Sequence, residues 1–150
     1  QFSDYVQNQL PDAGASQQQL LMNLSNQMPL QALEIAQSAW LPLRQEFLQD
    51  WQKLVMQKNM PMAIATKWNK NLNFGDFAQM FEYLLSDLIC VKLNQTVKNI
   101  DLEFNVLAEQ YSLEALFKIY EDFQRAKQFL EQNVQSNLVI DELFIKLMNL

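Results

Sequence analysis

Residues 73–91 read NFGDFAQMFEYLLSDLICV, and this stretch decides the fold class. Phe74, Phe77, Phe81, Leu84, Leu85, Leu88 and Val91 recur at the three- and four-residue steps that line one side of a helix. Asn73, with Asp76 three positions on, has the form of a helix start, a side-chain oxygen placed to meet a free amide of the first turn. A strand would need apolar and polar residues to alternate with period two, and no segment of the chain sustains that pattern. Two glycines and four prolines in 150 residues leave few places for tight β-turns. The chain is therefore expected to be all-α.

Working downstream, a short helix is expected near Leu102 to Gln110, and Ser112 caps a long one over about Leu113 to Asn133. The stripe of that helix is Leu113, Leu116, Ile119, Tyr120, Phe123, Ala126 and Leu130, with Lys127 intruding and snorkelling outward. Phe129 points away from it, among Lys118, Asp122 and Arg125. The last residues from Asn137, NLVIDELFIKLMNL, are apolar on two sides: Ile140, Leu143, Phe144 and Leu147 on one, Leu138, Ile145 and Met148 on roughly the other. A helix with one side on a core does not need the second set, so this one is expected to sit between neighbours. Those neighbours are either the helices holding Leu43–Leu54 and Phe74–Val91 or another subunit. Phe129, Leu138, Ile145, Met148 and Arg125 are the candidate subunit-interface residues.

Working upstream, Leu43, Phe47, Trp51 and Leu54 form a helical stripe, and Asn59-Met60-Pro61 ends that helix and starts one carrying Ile64 and Trp68. Three short helices precede them. The first, about Phe2 to Leu10, stops at Pro11 and the Asp12-Ala13-Gly14 turn. The second starts from Ser16 and Gln19 at capping-box spacing and presents Leu20, Leu21 and Leu24. The third starts at Pro29, where a first-turn proline is tolerated, with Leu30, Leu33 and Ala36 below it. Trp40 and Pro42 mark a boundary without a flexible linker.

The chemistry is mostly a set of exclusions. With no histidine, the usual neutral-pH base and commonest metal ligand is missing, and Ser-His or Cys-His activation is impossible. One cysteine, Cys90, builds neither a thiolate zinc site nor an intramolecular disulfide, fits a reducing cytoplasm, and reads as a buried thiol. Carboxylate neighbours such as Glu121-Asp122 and Asp141-Glu142 diverge by about 100° on a helix and so do not converge on one substrate. Gly14 and Gly75 are isolated, so no glycine-rich phosphate cradle forms. No catalytic, cofactor-binding or metal-ligating residue is assigned, and no small-molecule substrate is expected. A formal charge of −6 with scattered lysines and arginines is unlike a nucleic-acid platform. No stretch reaches the roughly 18 apolar residues of a membrane span.

The run NLVIDELFIKL at 137–147 resembles the closing helix of bacterial clamp-loader subunits, and SLEALFKIYEDFQRAKQFLEQNVQSN at 112–137 resembles the helix and turn before it in the delta-prime kind. The segments YVQNQL at 5–10 and QQQLLMNLSNQMPLQALEIA at 17–36 fall into register with the same family. In AAA+ ATPases the third lid helix resembles Gly-Ser-x-Arg-Asp-Ala-Leu, whose Arg senses the γ-phosphate. Here the stretch is Gln27-Met28-Pro29-Leu30-Gln31-Ala32-Leu33, with Leu30 in place of that Arg. The resemblance implies a short three-helix AAA+-type lid over residues 1–39 and a helical-bundle collar or oligomerisation domain over 40–150. It also implies that a nucleotide-binding module precedes Gln1. The expected function is a non-catalytic scaffold of the DNA polymerase III clamp loader, cytoplasmic, joined through its collar to gamma/tau and delta subunits and supporting sliding-clamp loading. The alternative is a helical adaptor that binds an amphipathic partner helix and is unrelated to replication. A carboxylate enzyme fragment would instead need two acids facing each other across a cleft.

Overall fold

The computed structural model describes residues 2–11, 14–58, 61–130 and 136–149. Its α-helices are α1 (Phe2–Gln9), α2 (Ala15–Leu24), α3 (Pro29–Ala36), α4 (Arg44–Gln57), α5 (Pro61–Asn71), α6 (Phe74–Lys92), α7 (Asn105–Ala108), α8 (Leu113–Leu130) and α9 (Ser136–Asn149). A 3₁₀ turn at Leu41–Leu43 leads into α4, and no strand occurs among the described residues. The fold is all-α, as the periodicity requires.

Local signals set several of the helix ends. The Asn73 side chain accepts a 2.8 Å bond from the Asp76 amide and starts α6. Ser112 Oγ does the same for the Ala115 amide at 3.0 Å ahead of α8. Pro29 occupies the first turn of α3, where it forfeits no intrahelical bond. The expected Ser16–Gln19 box does not form: α2 begins at Ala15 with Gly14 as its cap, which puts Ser16 inside the first turn. Asp12, Ala13, Asn59, Met60 and the stretch 131–135 lie outside the described residues, and with them parts of the expected first turn, the α4–α5 signal and the end of the Leu113–Asn133 helix.

The core is built around rings. Phe47 of α4 meets Trp68 of α5 and Phe77 of α6 edge to face, at centroid distances of 5.1 and 5.5 Å, and Phe81 is in turn edge-on to Phe123 of α8 at 4.8 Å. Such edge-to-face pairs add about 0.5–1.5 kcal/mol each to the burial of the rings themselves. Trp40, Trp51 and Trp68 are fully buried, and the polar end of each has a partner. Trp40 Nε1 donates to Gln79, Trp51 Nε1 to the Tyr111 hydroxyl, and Trp68 Nε1 to Asp50. Asp50 also accepts from Lys67 at 2.7 Å; that bond and the one to Glu46 push the Lys67 pKa up, against the opposing effect of burial.

A polar knot invisible in the apolar stripes holds the start of α4. Arg44 is buried; its Nε donates to the Leu41 carbonyl, Nη1 to Asn99 at 2.7 Å, and its fork grips both Asp101 oxygens at 2.9 and 2.8 Å. Asp87 of α6, also buried, accepts from the Lys98 and Asn99 amides and from the Asn99 side chain. The loop between α6 and α7 is thereby fastened to two helices.

Candidate subunit-interaction surface

α8 and α9 carry the residues singled out for docking. α8 buries Leu116, Ile119 and Phe123 and is held from both flanks. On one flank Glu82 of α6 accepts from Gln124 at 2.8 Å and Lys127 at 2.5 Å, so Lys127 crosses the stripe to an acid partner as well as to solvent. On the other, the largely covered Asp122 carboxylate faces Arg125 at 3.5 Å, Lys118 at 4.0 Å and Lys146 of α9 at 3.7 Å. Exposed pairs of this kind stabilise by only about 0–1 kcal/mol each. Their value here is register: Lys146 of α9 reaches Asp122 of α8 and ties the two neighbouring helices side by side.

α9 has two unlike faces. Val139, Ile140, Leu143, Phe144 and Leu147 are buried. Opposite them, Leu138, Glu142, Ile145 and Asn149 fall within an arc of about 60° at 100° per residue, and all are exposed. Leu138 is 56% and Ile145 42% exposed, so these two members of the second apolar side stay open among the described residues. The covering helices differ in part from those expected, the Leu43–Leu54 helix, α4, being among them. α9 lies chiefly along α5, with α4 and α8 at its sides, while α6 reaches it through the Phe77–Phe144 ring contact at 6.1 Å. α5 buries Ile64, Ala65 and Trp68, and a face containing a residue as small as alanine permits close helix approach.

The other candidates divide. Phe129 is 56% exposed, Arg125 is exposed with Asp122 as its ion partner among the described residues, and Met148 is half-buried against the core at the edge of the open arc. Phe129, Leu138 and Ile145 are therefore open apolar groups, Arg125 is their charged border, and Met148 belongs more to the interior. Tyr120, expected in the α8 core stripe, is instead 42% exposed because it sits at the stripe's edge, about 80° of helix rotation from the line through Ile119, Phe123 and Leu130. With Phe117, 45% exposed, it makes a second apolar area, roughly 120–180° around α8 from Phe129. Sequence reading missed this area, although Phe117 stands among Glu114, Lys118 and Glu121, the setting that marked Phe129 as unburied.

The chemistry of the remaining groups is quiet. Cys90 is partly covered, not fully buried as expected, and burial, with Asp87 nearby, pushes its thiol pKa up, which disfavours the reactive thiolate. Among the described residues no group of three or more Cys, Asp or Glu could hold a metal ion, and no helix is long and apolar enough to cross a membrane. Leu30, which the sequence resemblance sets against the Arg of AAA+ lids, is 70% exposed and offers no charge. Gln27, which the same resemblance sets against a Gly, has a φ of 64°, in the left-handed region that glycine favours.

The family described as DNA polymerase III, delta subunit, C terminal matches residues 38–148. No curated protein and no solved structure matches the chain.

Proposed function

We infer that this chain, which belongs to the family of C-terminal domains of the DNA polymerase III delta protein, is a non-catalytic scaffold of the clamp loader, of the delta-prime kind. It joins gamma/tau and delta subunits through its helical collar and so supports sliding-clamp loading in the cytoplasm. The observation that carries this reading is the open apolar face of α9, where Leu138 and Ile145 stand uncovered opposite a fully buried side. Burying a Leu, Ile or Phe side chain is worth about 1.5–3 kcal/mol. Three of them left in water on adjoining helices favour a partner surface. They do not fill the roughly 800 Å² per partner of a standard interface, so Phe129, Leu138 and Ile145 are its anchors and the borders of α8 and α9 its rim.

The delta-prime reading is supported by the similarity of residues 112–147 to that kind of protein and by the neutral Leu30 where an ATP-sensing lid has Arg. Division into a lid over residues 1–39 and a collar over 40–150 is supported by α1, α2 and α3 packing on one another and by the family match starting at residue 38.

The test is light scattering after size exclusion, with the chain alone and mixed with purified gamma/tau and delta subunits. Co-elution is expected, and Phe129→Asp or Leu138→Asp should weaken it at least tenfold while the melting temperature stays within about 2 °C, as for surface substitutions. A chain that ignores both partners overturns the scaffold. Unchanged co-elution of both variants overturns the assignment of this surface.

A further inference from the structure

Between α6 and α8 runs a groove of about 310 Å³, lined by Gln79, Glu82, Tyr83, Ser86, Lys98 and Tyr120. Its α6 members follow at steps of three, one and three, the spacing of a single helix face. Tyr120 comes from α8, and Lys98 from the loop after α6, where its amide is fixed by the buried Asp87 carboxylate at 2.9 Å. The acceptors of the groove are largely taken. Gln79 Oε1 accepts from Trp40 at 3.1 Å, which leaves its NH₂ group over. The Glu82 charge is matched by Lys127, with Gln124 on the same oxygen. The donors are not taken. Among the described residues Lys98 Nζ, Ser86 Oγ and the Tyr120 hydroxyl have no hydrogen-bond or ion partner. Hydroxyls turn either way, but Lys98 and the Gln79 nitrogen can only donate, so the groove offers a ligand donors and one positive charge. Beside it Phe117 lies one turn before Tyr120 on α8, and both rings are exposed.

We propose that this groove is a carboxylate-binding site for a protein segment: a glutamate or aspartate side chain is received by Lys98, Ser86 and Tyr120, and an apolar neighbour is laid on the Tyr120 and Phe117 rings. Charge complementarity selects the anion, because an unpaired ammonium among spare donors is matched by an acceptor-only group. The rings select a peptide over a free ion, which would leave Phe117 in water. A nucleic-acid phosphate fits less well: the lining holds a single lysine in a chain of net charge −6, whereas binding to a phosphate backbone rests on several cations at once. The site faces a different side of α8 from Phe129, and it stands whether or not the chain joins gamma/tau and delta.

An NMR titration of the whole isotope-labelled chain tests it, with a blocked peptide carrying one glutamate between leucines, and its glutamine counterpart, as probes. The amides of Ser86, Lys98 and Tyr120 should shift together and saturably with the first peptide, and the second should bind at least about tenfold more weakly, a difference of about 1.4 kcal/mol. Lys98→Gln should weaken the glutamate peptide by a similar factor and Ser86→Ala by about threefold, with the rest of the spectrum unchanged. Equal binding of the two peptides, shifts centred elsewhere on the chain, or no loss in Lys98→Gln would overturn the site. So would acetate alone binding as well as the glutamate peptide, which would make it a free-anion site, or the same shifts produced by a single-stranded oligonucleotide, which would make it a nucleic-acid contact.

Discussion

Tyr111→Phe tests whether the core is tied together by hydrogen bonds as well as by rings. Tyr111 is 3% exposed, and its hydroxyl is a relay: it accepts from Trp51 Nε1 of α4 at 3.0 Å and donates to the Leu147 carbonyl of α9 at 2.6 Å. Leu147 lies in the last turn of α9, where carbonyls have no partner within the helix, so the tyrosine supplies the cap that the helix cannot supply itself. Removing one oxygen strands both the Trp51 N–H, on a fully buried ring, and that carbonyl. A buried polar group left without a partner costs about 1–3 kcal/mol. Two such losses, partly offset because phenylalanine brings no hydroxyl to desolvate, give an expected destabilisation of about 2–4 kcal/mol, or roughly 5–15 °C in melting temperature at this chain length. Urea denaturation followed by tryptophan fluorescence would measure it, with Tyr120→Phe, at an exposed position, as the control expected within about 0.5 kcal/mol of the parent. A loss below about 0.5 kcal/mol for Tyr111→Phe would refute the relay and leave ring packing as the whole of the joint between α4 and α9.

Gln27→Gly should stabilise the protein by about 0.5–1 kcal/mol, read as a higher denaturant midpoint at unchanged slope, because a glutamine held at a φ of 64° carries strain that glycine does not. No gain would mean that the turn between α2 and α3 relaxes in solution. Acid should weaken the protein through Asp101. Burial opposes its charge, but the bonds and charge of Arg44 outweigh that and hold its carboxyl below the ordinary range. A depressed carboxyl contributes stability that is complete above the unfolded value, near 3.9, and is lost as pH falls through the lower folded value. Denaturant midpoints taken from about pH 5 to about pH 2 should therefore fall in that window, less steeply in Asp101→Asn. Identical slopes for the two proteins would remove Asp101 from the acid response.

The helices were legible where the reason for them is local. The Phe74-to-Val91 stripe, the Asn73 and Ser112 caps and the Pro29 start each depend on residues within one or two turns of each other, and each is found where the spacing puts it. The Ser16 box failed on the same scale, since Gly14 offered an earlier start to α2. The polar knot was not legible, because Arg44, Asp87, Asn99 and Asp101 lie far apart in the chain and look like ordinary surface residues until the fold collects them. Of the candidate surface, the exposure of Phe129 follows from its charged neighbours along α8, but that of Tyr120 depends on how α8 is rolled against α6.

By itself the sequence determined an all-α chain without histidine chemistry or a phosphate cradle, and a last helix with apolar residues on two sides. Hydrophobic periodicity and capping are properties of one segment, so they survive being read without the rest of the molecule. Only the tertiary structure decided which of those two sides is buried. Both Ile140 and Ile145 are equally apolar, and the packing of α9 along α5, with α4 and α8 at its sides, leaves the first buried and the second in water. Burial depends on which surfaces can come within contact distance, and that is a property of the packed molecule, not of the helix.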